Sequence, residues 1–491
     1  MTQTYDLVCI QCGTPLETGL RTGKVAEADG RRLTQALLRG CAVCAESGIK
    51  SNFTVKLDLS PLRADARRGV DALADRSAPG VWRWHRLLPA APRFRVSLGE
   101  GNTPLVPLKR FGRRMGVPNL YVKDESRNPT WSYKDRLCAV GVSNALEFGA
   151  AVITVSSTGN HGAAAAAYAA RAGLPCVVFT LDSTPDVMKT LMQAYGAYVV
   201  AMERPRDRWR LMGEMAEEQG WYAISGFQIP PIGSNPFGIE GYKTIAFETL
   251  ADLGAAPDWM VVPTAHGDGL TGVWKGWQEL HELGLAPAPP KMAAAELNPS
   301  LEPALLNGEP APRPGHEGQG RAAGAAGAAG AAGAAGAAGA AGAAATAATA
   351  GQRQDGGSAP ASDAEPAAPD SPAFSIDVAI GTQQALAVLR RSGGRAVHVR
   401  SADLIDLQRR LAEDEGIYAE ASSLAGLAAV QRLAEEGALG ADDVVVAVLT
   451  STGLKDPGAT AARLPAVPLI ELDAGQLLDT LASVYGARFD T

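Results

Sequence analysis

The sequence predicts an α/β protein in which parallel sheets are covered by helices on both faces. Three observations predict it. Apolar runs such as AVITVS (151–156), PCVVFT (175–180) and WMVVP (259–263) are continuous rather than alternating, as strands buried on both faces are. Between them lie Ala-rich stretches such as AAAAAYAARAG (163–173), closed by Gly, which tolerates the left-handed conformation at a helix end. This alternation runs from about residue 96 to 302 and resumes at 373. At 491 residues the chain exceeds what one hydrophobic core usually supports, so several units are expected.

Residues 1–60 carry two C-x-x-C pairs, Cys9/Cys12 and Cys41/Cys44, with 28 residues between them. In a reducing compartment such knuckles read as four thiolates around a tetrahedral zinc, because each turn points two sulfurs at one ion. A zinc-ribbon-like unit with structural Zn is therefore expected. Cys138 and Cys176 sit in apolar surroundings and read as core residues. Residues 61–95, containing VWRWHRLLP, read as a connecting segment. Residues 96–302 form the first part of a catalytic domain. From 303 to 372 the chain is dominated by Gly, Ala and Pro, with Asp among the remainder and RAAGAAGAAG repeating at period three from Arg321. It holds no Pro within the repeat to stiffen a triple helix and no side chains large enough to build a core, so it reads as a disordered insertion without catalytic residues. Residues 373–491, with FSIDVAIGTQQALAVLRRSGG, EGIYAEASSLAGLAAVQRLAEEG and VVVAVLT, form the second part, and the two sides should pack together.

A net charge of −7 with no Lys/Arg run argues against a nucleic-acid partner. No apolar segment approaches the roughly 20 residues of a membrane span, and the N-terminus has no leader pattern. A cytoplasmic protein acting on a small molecule is expected.

Three loops carry the chemistry. In NPTWSYKDR (128–136), Ser132 stands three residues before Asp135, the pattern of a helix N-cap with its reciprocal acid. Lys134 then falls in the first helical turn, where the macrodipole disfavours a cation and eases loss of its proton. That suits a lysine that bonds covalently to a carbonyl compound. The loop Ser156-Ser157-Thr158-Gly159-Asn160-His161-Gly162 follows a strand and opens a helix, leaving backbone N–H groups free for an anion. The loop from Pro263 to Gly272, through His266-Gly267-Asp268-Gly269-Leu270, does the same. Two anion-ready turns and a helix-start lysine fit pyridoxal phosphate holding an amino acid.

With those residues in place the chain resembles the threonine synthase family of pyridoxal-phosphate enzymes, whose fold is shared with threonine dehydratases and cysteine synthase. The matching segments are SLGEGNTPLV, NLYVKDESRNPTWSYKDR, SSTGNHGAAAAAYAARAG, GIEGYKTIAFE, the 263–272 loop, EGIYAEASSLAG and VLTSTGLKDP, in the family's order over roughly 95–300 and 374–460. The resemblance implies a fold-type-II enzyme with two parallel-sheet, three-layer subdomains, usually assembled as a homodimer. It implies that Lys134 holds the cofactor and moves the α-proton, and that Asn160 bonds the cofactor's ring hydroxyl. Ser157, Thr158 and Gly159, with His161 beside them, would receive the amino-acid substrate. Gly267, Asp268, Gly269 and Leu270 would cradle the cofactor phosphate, and Thr450 would place a neutral hydroxyl against the pyridine nitrogen. Some family members carry a zinc-ribbon-like N-terminus.

The chain departs from the family at identifiable points. An arginine that helps grip the substrate phosphate is replaced by Gly238 in SNPFGIEG. His161 stands where threonine synthases often have Thr and dehydratases resemble this chain. Trp131 and Tyr133 suggest a narrower pocket mouth, and His266, beside the cofactor phosphate, is expected either to donate to it or to be merely exposed. The leading expectation is conversion of O-phospho-L-homoserine and water to L-threonine and phosphate. The alternatives are a threonine/serine dehydratase-like ammonia-lyase or a β-replacement synthase, and, from another class, a non-catalytic zinc-ribbon interaction protein.

Overall fold

The computed structural model describes residues 5–16, 33–37, 39–315 and 371–487. Most of the Gly/Ala/Pro-rich segment, and the stretch between the cysteine pairs from 17 to 32, lie outside the described residues. Strands β1 (Tyr5–Cys9) and β2 (Phe53–Leu57) form a small antiparallel pair with Cys9 opposite Phe53.

Two larger sheets follow. The first has six strands in the order β11 (Arg395–His398), β10 (Lys291–Glu296), β9 (Trp259–Pro263), β12 (Val445–Leu449), β4 (Leu120–Asp124) and β3 (Leu105–Pro107). All pairings are parallel except that of β3 with β4 at the edge. The second is fully parallel, in the order β7 (Tyr198–Met202), β6 (Cys176–Leu181), β5 (Ile153–Ser156), β8 (Tyr222–Ala223). Every residue of β9 and β12 is buried, as continuous apolar runs require of central strands. Strand β10 precedes the Gly/Ala-rich segment and β11 follows it, yet they are hydrogen-bonded neighbours. The Gly315 N–H also donates to Ala379 O at 2.8 Å, tying the two flanks together.

The helices used below are α1 (Lys134–Glu147), α2 (Asn160–Ala172), α3 (Pro205–Glu218), α4 (Lys243–Leu253), α5 (Asp268–Glu282), α6 (Gln383–Ser392) and α7 (Ala421–Glu435). Helix α2 is buried along nearly all its length because its Ala side chains let α1 approach, and Gly173 closes it at φ +70°. The 61–95 segment does more than connect. Its short turns bury Trp82, Trp84 and Leu87 in the same core as α1 and α2, with Trp84 tilted against Phe247 of α4.

Helix α1 is fixed by a buried ion network. Arg136 has no exposed side chain and makes bidentate bonds to Glu125 (2.7 and 2.8 Å) and Glu248 (2.7 and 2.8 Å); Lys123 adds a pair to Glu248 at 3.1 Å. Burial alone would raise the Glu248 carboxyl, but Arg136 and Lys123 draw it down to about 2. Removing one partner would strand an uncompensated buried charge, costing about 3–5 kcal/mol. This network holds the helix that begins at Lys134.

Candidate active site

The carboxyl ends of β5, β9 and β12 converge on one cavity, the place where ligands bind in open parallel sheets. Lys134, Ser157, Thr158, Gly159, Asn160, His161, Gly267, Asp268, Gly269 and Thr450 all line it. Leu270 does not: its side chain is buried in the core, so only its backbone N–H can serve a ligand.

Lys134 is presented by a loop stitched to the end of β12. Tyr133 N–H donates to Thr450 O at 2.9 Å, and Trp131 O accepts from Ser451 Oγ at 3.0 Å. Trp131 adopts φ +59°, a conformation costly for a bulky residue, and these bonds hold it there. It is 46% exposed and outside the cavity, so the expected narrowing by Trp131 is corrected; Tyr133 does line the wall and stacks on Tyr242 with centroids 4.8 Å apart. The expected Ser132–Asp135 cap is also corrected. The helix starts with Tyr133 as N-cap and no side-chain cap, Ser132 Oγ is buried without a partner, and Asp135 turns back to Thr130 N (2.7 Å) and Oγ1 (2.5 Å). The loop's tether to β12 dictates that geometry, overriding the local cap. Lys134 Nζ rests 4.9 Å from the Tyr133 ring and 5.8 Å from that of Tyr242. No carboxylate among the described residues lies within ion-pair distance of it.

Asn160 opens α2 with both ends of its amide held. Its Oδ1 accepts from Lys455 Nζ at 2.5 Å and Ser451 Oγ at 3.3 Å, while Nδ2 donates to Glu420 Oε2 at 2.7 Å. A cation on one side and a carboxylate on the other fix which way the amide faces, leaving the second Nδ2 hydrogen for a ligand. Burial lowers the Lys455 ammonium from its ordinary value, opposed by the charges of Glu420 and Asp135. Neither Glu420 nor Lys455 had a role assigned from sequence, although both lie in matching segments; nothing in EGIYAEASS or TSTGLKDP says which side chain turns inward. His161, next in the chain, is buried with Nε2 unpartnered. Burial, helped by the Lys134 charge, pushes its imidazole well below the usual value, so it is neutral. Thr450 Oγ1 lies 3.0 Å from Ser423 Oγ, a neutral hydroxyl pair at the end of β12.

The cradle loop is shaped by close approach. Gly267 sits at φ +89°, and a Cβ there would lie 2.4 Å from Ala385 Cβ of α6. A Cβ on Gly269 would lie 2.7 Å from the Tyr133 ring. The Asp268 carboxylate accepts from Ser234 N (3.0 Å), Ser234 Oγ (2.6 Å) and Gln384 Nε2 (2.6 Å), so it locks the loop. The first N–H groups of α5 have no intrahelical acceptor, and Gly267, Asp268 and Gly269 line the cavity. The expected donation from His266 is corrected. His266 Nδ1 lies 3.1 Å from the Ile380 carbonyl, which only accepts, so Nδ1 carries the proton; burial then keeps the ring neutral and Nε2 an acceptor. Gly238 is likewise not on the cavity wall: a Cβ there would meet Leu137 Cγ at 3.0 Å, within the packing against α1.

These features fit pyridoxal phosphate: a phosphate-ready helix start, a neutral hydroxyl, an oriented amide and a lysine without a counter-ion. In the N-terminal unit, Cys9, Cys12, Cys41 and Cys44 bring their sulfurs within 4.8 Å of one another, with Cys9–Cys44 at 3.6 Å and Cys12–Cys41 at 3.7 Å. Tetrahedral Zn–S bonds of about 2.3 Å place sulfurs roughly 3.8 Å apart, so the group can hold a metal ion.

The pattern of the pyridoxal-phosphate dependent enzyme family matches residues 96–328 and 318–451. Threonine synthase of Methanosarcina acetivorans is 29% identical over 461 residues, covering 92% of this chain and 93% of the relative. Threonine synthase of Methanocaldococcus jannaschii is 31% identical over 404 residues, covering 81% and 86%. The chain belongs to the threonine synthase family of pyridoxal-phosphate enzymes. Maize serine racemase superposes with a TM-score of 0.53 at 17% identity, over 79% of this chain and 93% of that one. Threonine deaminase isoform 2 of Solanum lycopersicum gives 0.52 at 16% identity, over 81% and 85%. At such identities these two show the shared fold-type-II architecture alone. The threonine synthase-family chain is thus a pyridoxal-phosphate-dependent lyase, and no helix among its described residues is long and apolar enough to cross a membrane.

Proposed function

We propose that the protein converts O-phospho-L-homoserine and water to L-threonine and inorganic phosphate. One observation carries this reading: two helix N-termini, α2 and α5, converge with Lys134 on a single cavity in which the Asp268 carboxylate is already hydrogen-bonded by three donors of the protein. Such a cavity receives a cofactor phosphate and a substrate carboxylate at separate places. The threonine synthases matched along most of their length support it.

Pyridoxal phosphate, when bound, supplies an electron-accepting ring that spreads the charge left on an amino acid after loss of its α-proton. The chain's residues do the rest. The N–H groups opening α5 hold the cofactor phosphate, and Asn160, braced by Glu420 and Lys455, orients the ring. Thr450 offers a neutral hydroxyl, which tempers the ring and favours replacement over transamination. The Ser157-Thr158-Gly159 loop binds the substrate carboxylate. The Lys134 amine, with no carboxylate to hold its proton, takes the α-proton and returns protons as phosphate leaves and water adds. The four cysteines would carry a structural zinc.

Gly238 and His161 motivate a dehydratase-like reading, yet Gly238 packs against Leu137 outside the cavity and does not by itself favour a dehydratase. His161 remains its one support. Product analysis separates the two: the proposal expects threonine and phosphate in equal amounts from O-phosphohomoserine, with little keto acid. Keto acid from threonine or serine, without phosphate release from O-phosphohomoserine, would establish the ammonia-lyase instead. The interaction-only alternative has no observation in its favour.

A further inference from the structure

The expected arginine is absent from its usual place, and a different arginine points into the cavity. Arg208, on the first turn of α3, lines the same cavity as Lys134, as does Gln228. Its Nε and Nη1 are sealed from solvent and have no hydrogen-bond partner among the described residues. Its neighbours on the helix are satisfied: Arg204 pairs with Asp207 at 2.7 Å and Arg210 with Glu214 at 2.9 Å. The acids on the cavity wall have other hydrogen-bond partners, Asp268 in Ser234 and Gln384 and Asp377 in Asn298 at 2.7 Å, and neither is ion-paired with Arg208. A guanidinium with two nitrogens withdrawn from water and no ion pair among the described residues is costly, and burial lowers its pKa to about 10. An anion arriving with the ligand would relieve that cost.

Two anions already have places, the cofactor phosphate at the start of α5 and the substrate carboxylate at the start of α2. Arg208 belongs to neither helix. Its helix is fixed near the cradle by Trp209, whose ring meets His266 edge-on at 6.1 Å. A planar fork of donors at that position matches a phosphate dianion, which it can bind through two parallel bonds. We propose that Arg208 binds the phosphoryl group of a phosphorylated amino-acid substrate, supplying from α3 the contact that Gly238 cannot make. This rests on the reaction proposed above for the identity of the substrate, but the anion site itself can be tested separately.

Inorganic phosphate is titrated into the cofactor-loaded protein, where the cradle is already filled, and binding is read by calorimetry. Wild type should bind it. Arg208→Gln should weaken binding roughly tenfold to hundredfold while leaving cofactor affinity and the absorbance of the bound cofactor unchanged. Arg208→Lys, a point charge without the fork, should fall between, and Arg210→Gln should match wild type. With O-phosphohomoserine, Arg208→Gln should raise KM by a similar factor. Equal phosphate binding in wild type and Arg208→Gln would overturn the proposal, as would loss of cofactor affinity in that variant, which would assign Arg208 to the cradle. If wild type binds phosphate through Arg208 yet releases none from O-phosphohomoserine, the proposed reaction falls and the anion site stands.

Discussion

A lysine over aromatic rings with no ion-paired carboxylate keeps its amine free for chemistry, and this is the situation of Lys134 beside Tyr133 and Tyr242. Lys134→Ala should lower turnover by roughly 10²–10⁴-fold from loss of proton transfer alone, read as phosphate release per cofactor bound. Lys455 acts at one remove, by orienting Asn160. Lys455→Met should leave the fold intact but weaken cofactor binding about tenfold to hundredfold, the worth of a charge-assisted bond, in an absorbance titration. Unchanged affinity would mean that Glu420 alone orients the amide. The sequence disclosed Lys134, Asn160 and Thr450 because each sits in a compact motif at a strand or helix boundary. It concealed Arg208, since four arginines alternate along ERPRDRWR and spacing alone does not say which one turns inward.

At the scale of elements, the start of α5 depends on a backbone conformation only glycine adopts easily. Gly267→Ala places a methyl group 2.4 Å from Ala385 Cβ at φ +89°, so it should cost about 1–3 kcal/mol in strain and weaken cofactor binding, with denaturant unfolding and titration as the measures. Helix α1 carries a pH signature. Glu248 titrates at about 2 in the folded protein against about 4.3 when unfolded, a depressed pKa. Its contribution, on the order of 3 kcal/mol, is fully present above about pH 4.3 and is lost as pH falls towards 2. Acid unfolding of wild type should therefore steepen in that window, and Glu248→Gln, already destabilised at neutral pH, should lack the extra slope. Strand and helix positions were legible from apolar runs and Gly stops. The Ser132 cap was not, because a long-range tether to Ser451 and Thr450 decides that turn.

Across the whole molecule, the N-terminal cysteine unit reaches the cofactor cradle by a short path. Cys41 N–H bonds Ser51 O, Asn52 Nδ2 donates to Ser234 O at 2.9 Å, and Ser234 holds Asp268 at the start of α5. One metal per chain should be found by elemental analysis, and its removal by chelator should lower cofactor affinity as well as thermal stability. Stability falling without any change in cofactor affinity would show the path to be idle. Joining Gly315 directly to Ser371 through a short Gly/Ser linker should preserve turnover, because β10 and β11 already pair across that junction. The sequence showed that both flanks belong to one catalytic unit. It hid the contribution of 61–95, whose tryptophans are core residues in a stretch without helical or strand periodicity.

The most direct measurement is phosphate release from O-phospho-L-homoserine by the purified, cofactor-loaded protein, with Lys134→Ala as the blank. Release matched by threonine and absent from the blank is the expected result. A cofactor-loaded protein that releases no phosphate, or a Lys134→Ala variant that releases it equally, would contradict the account.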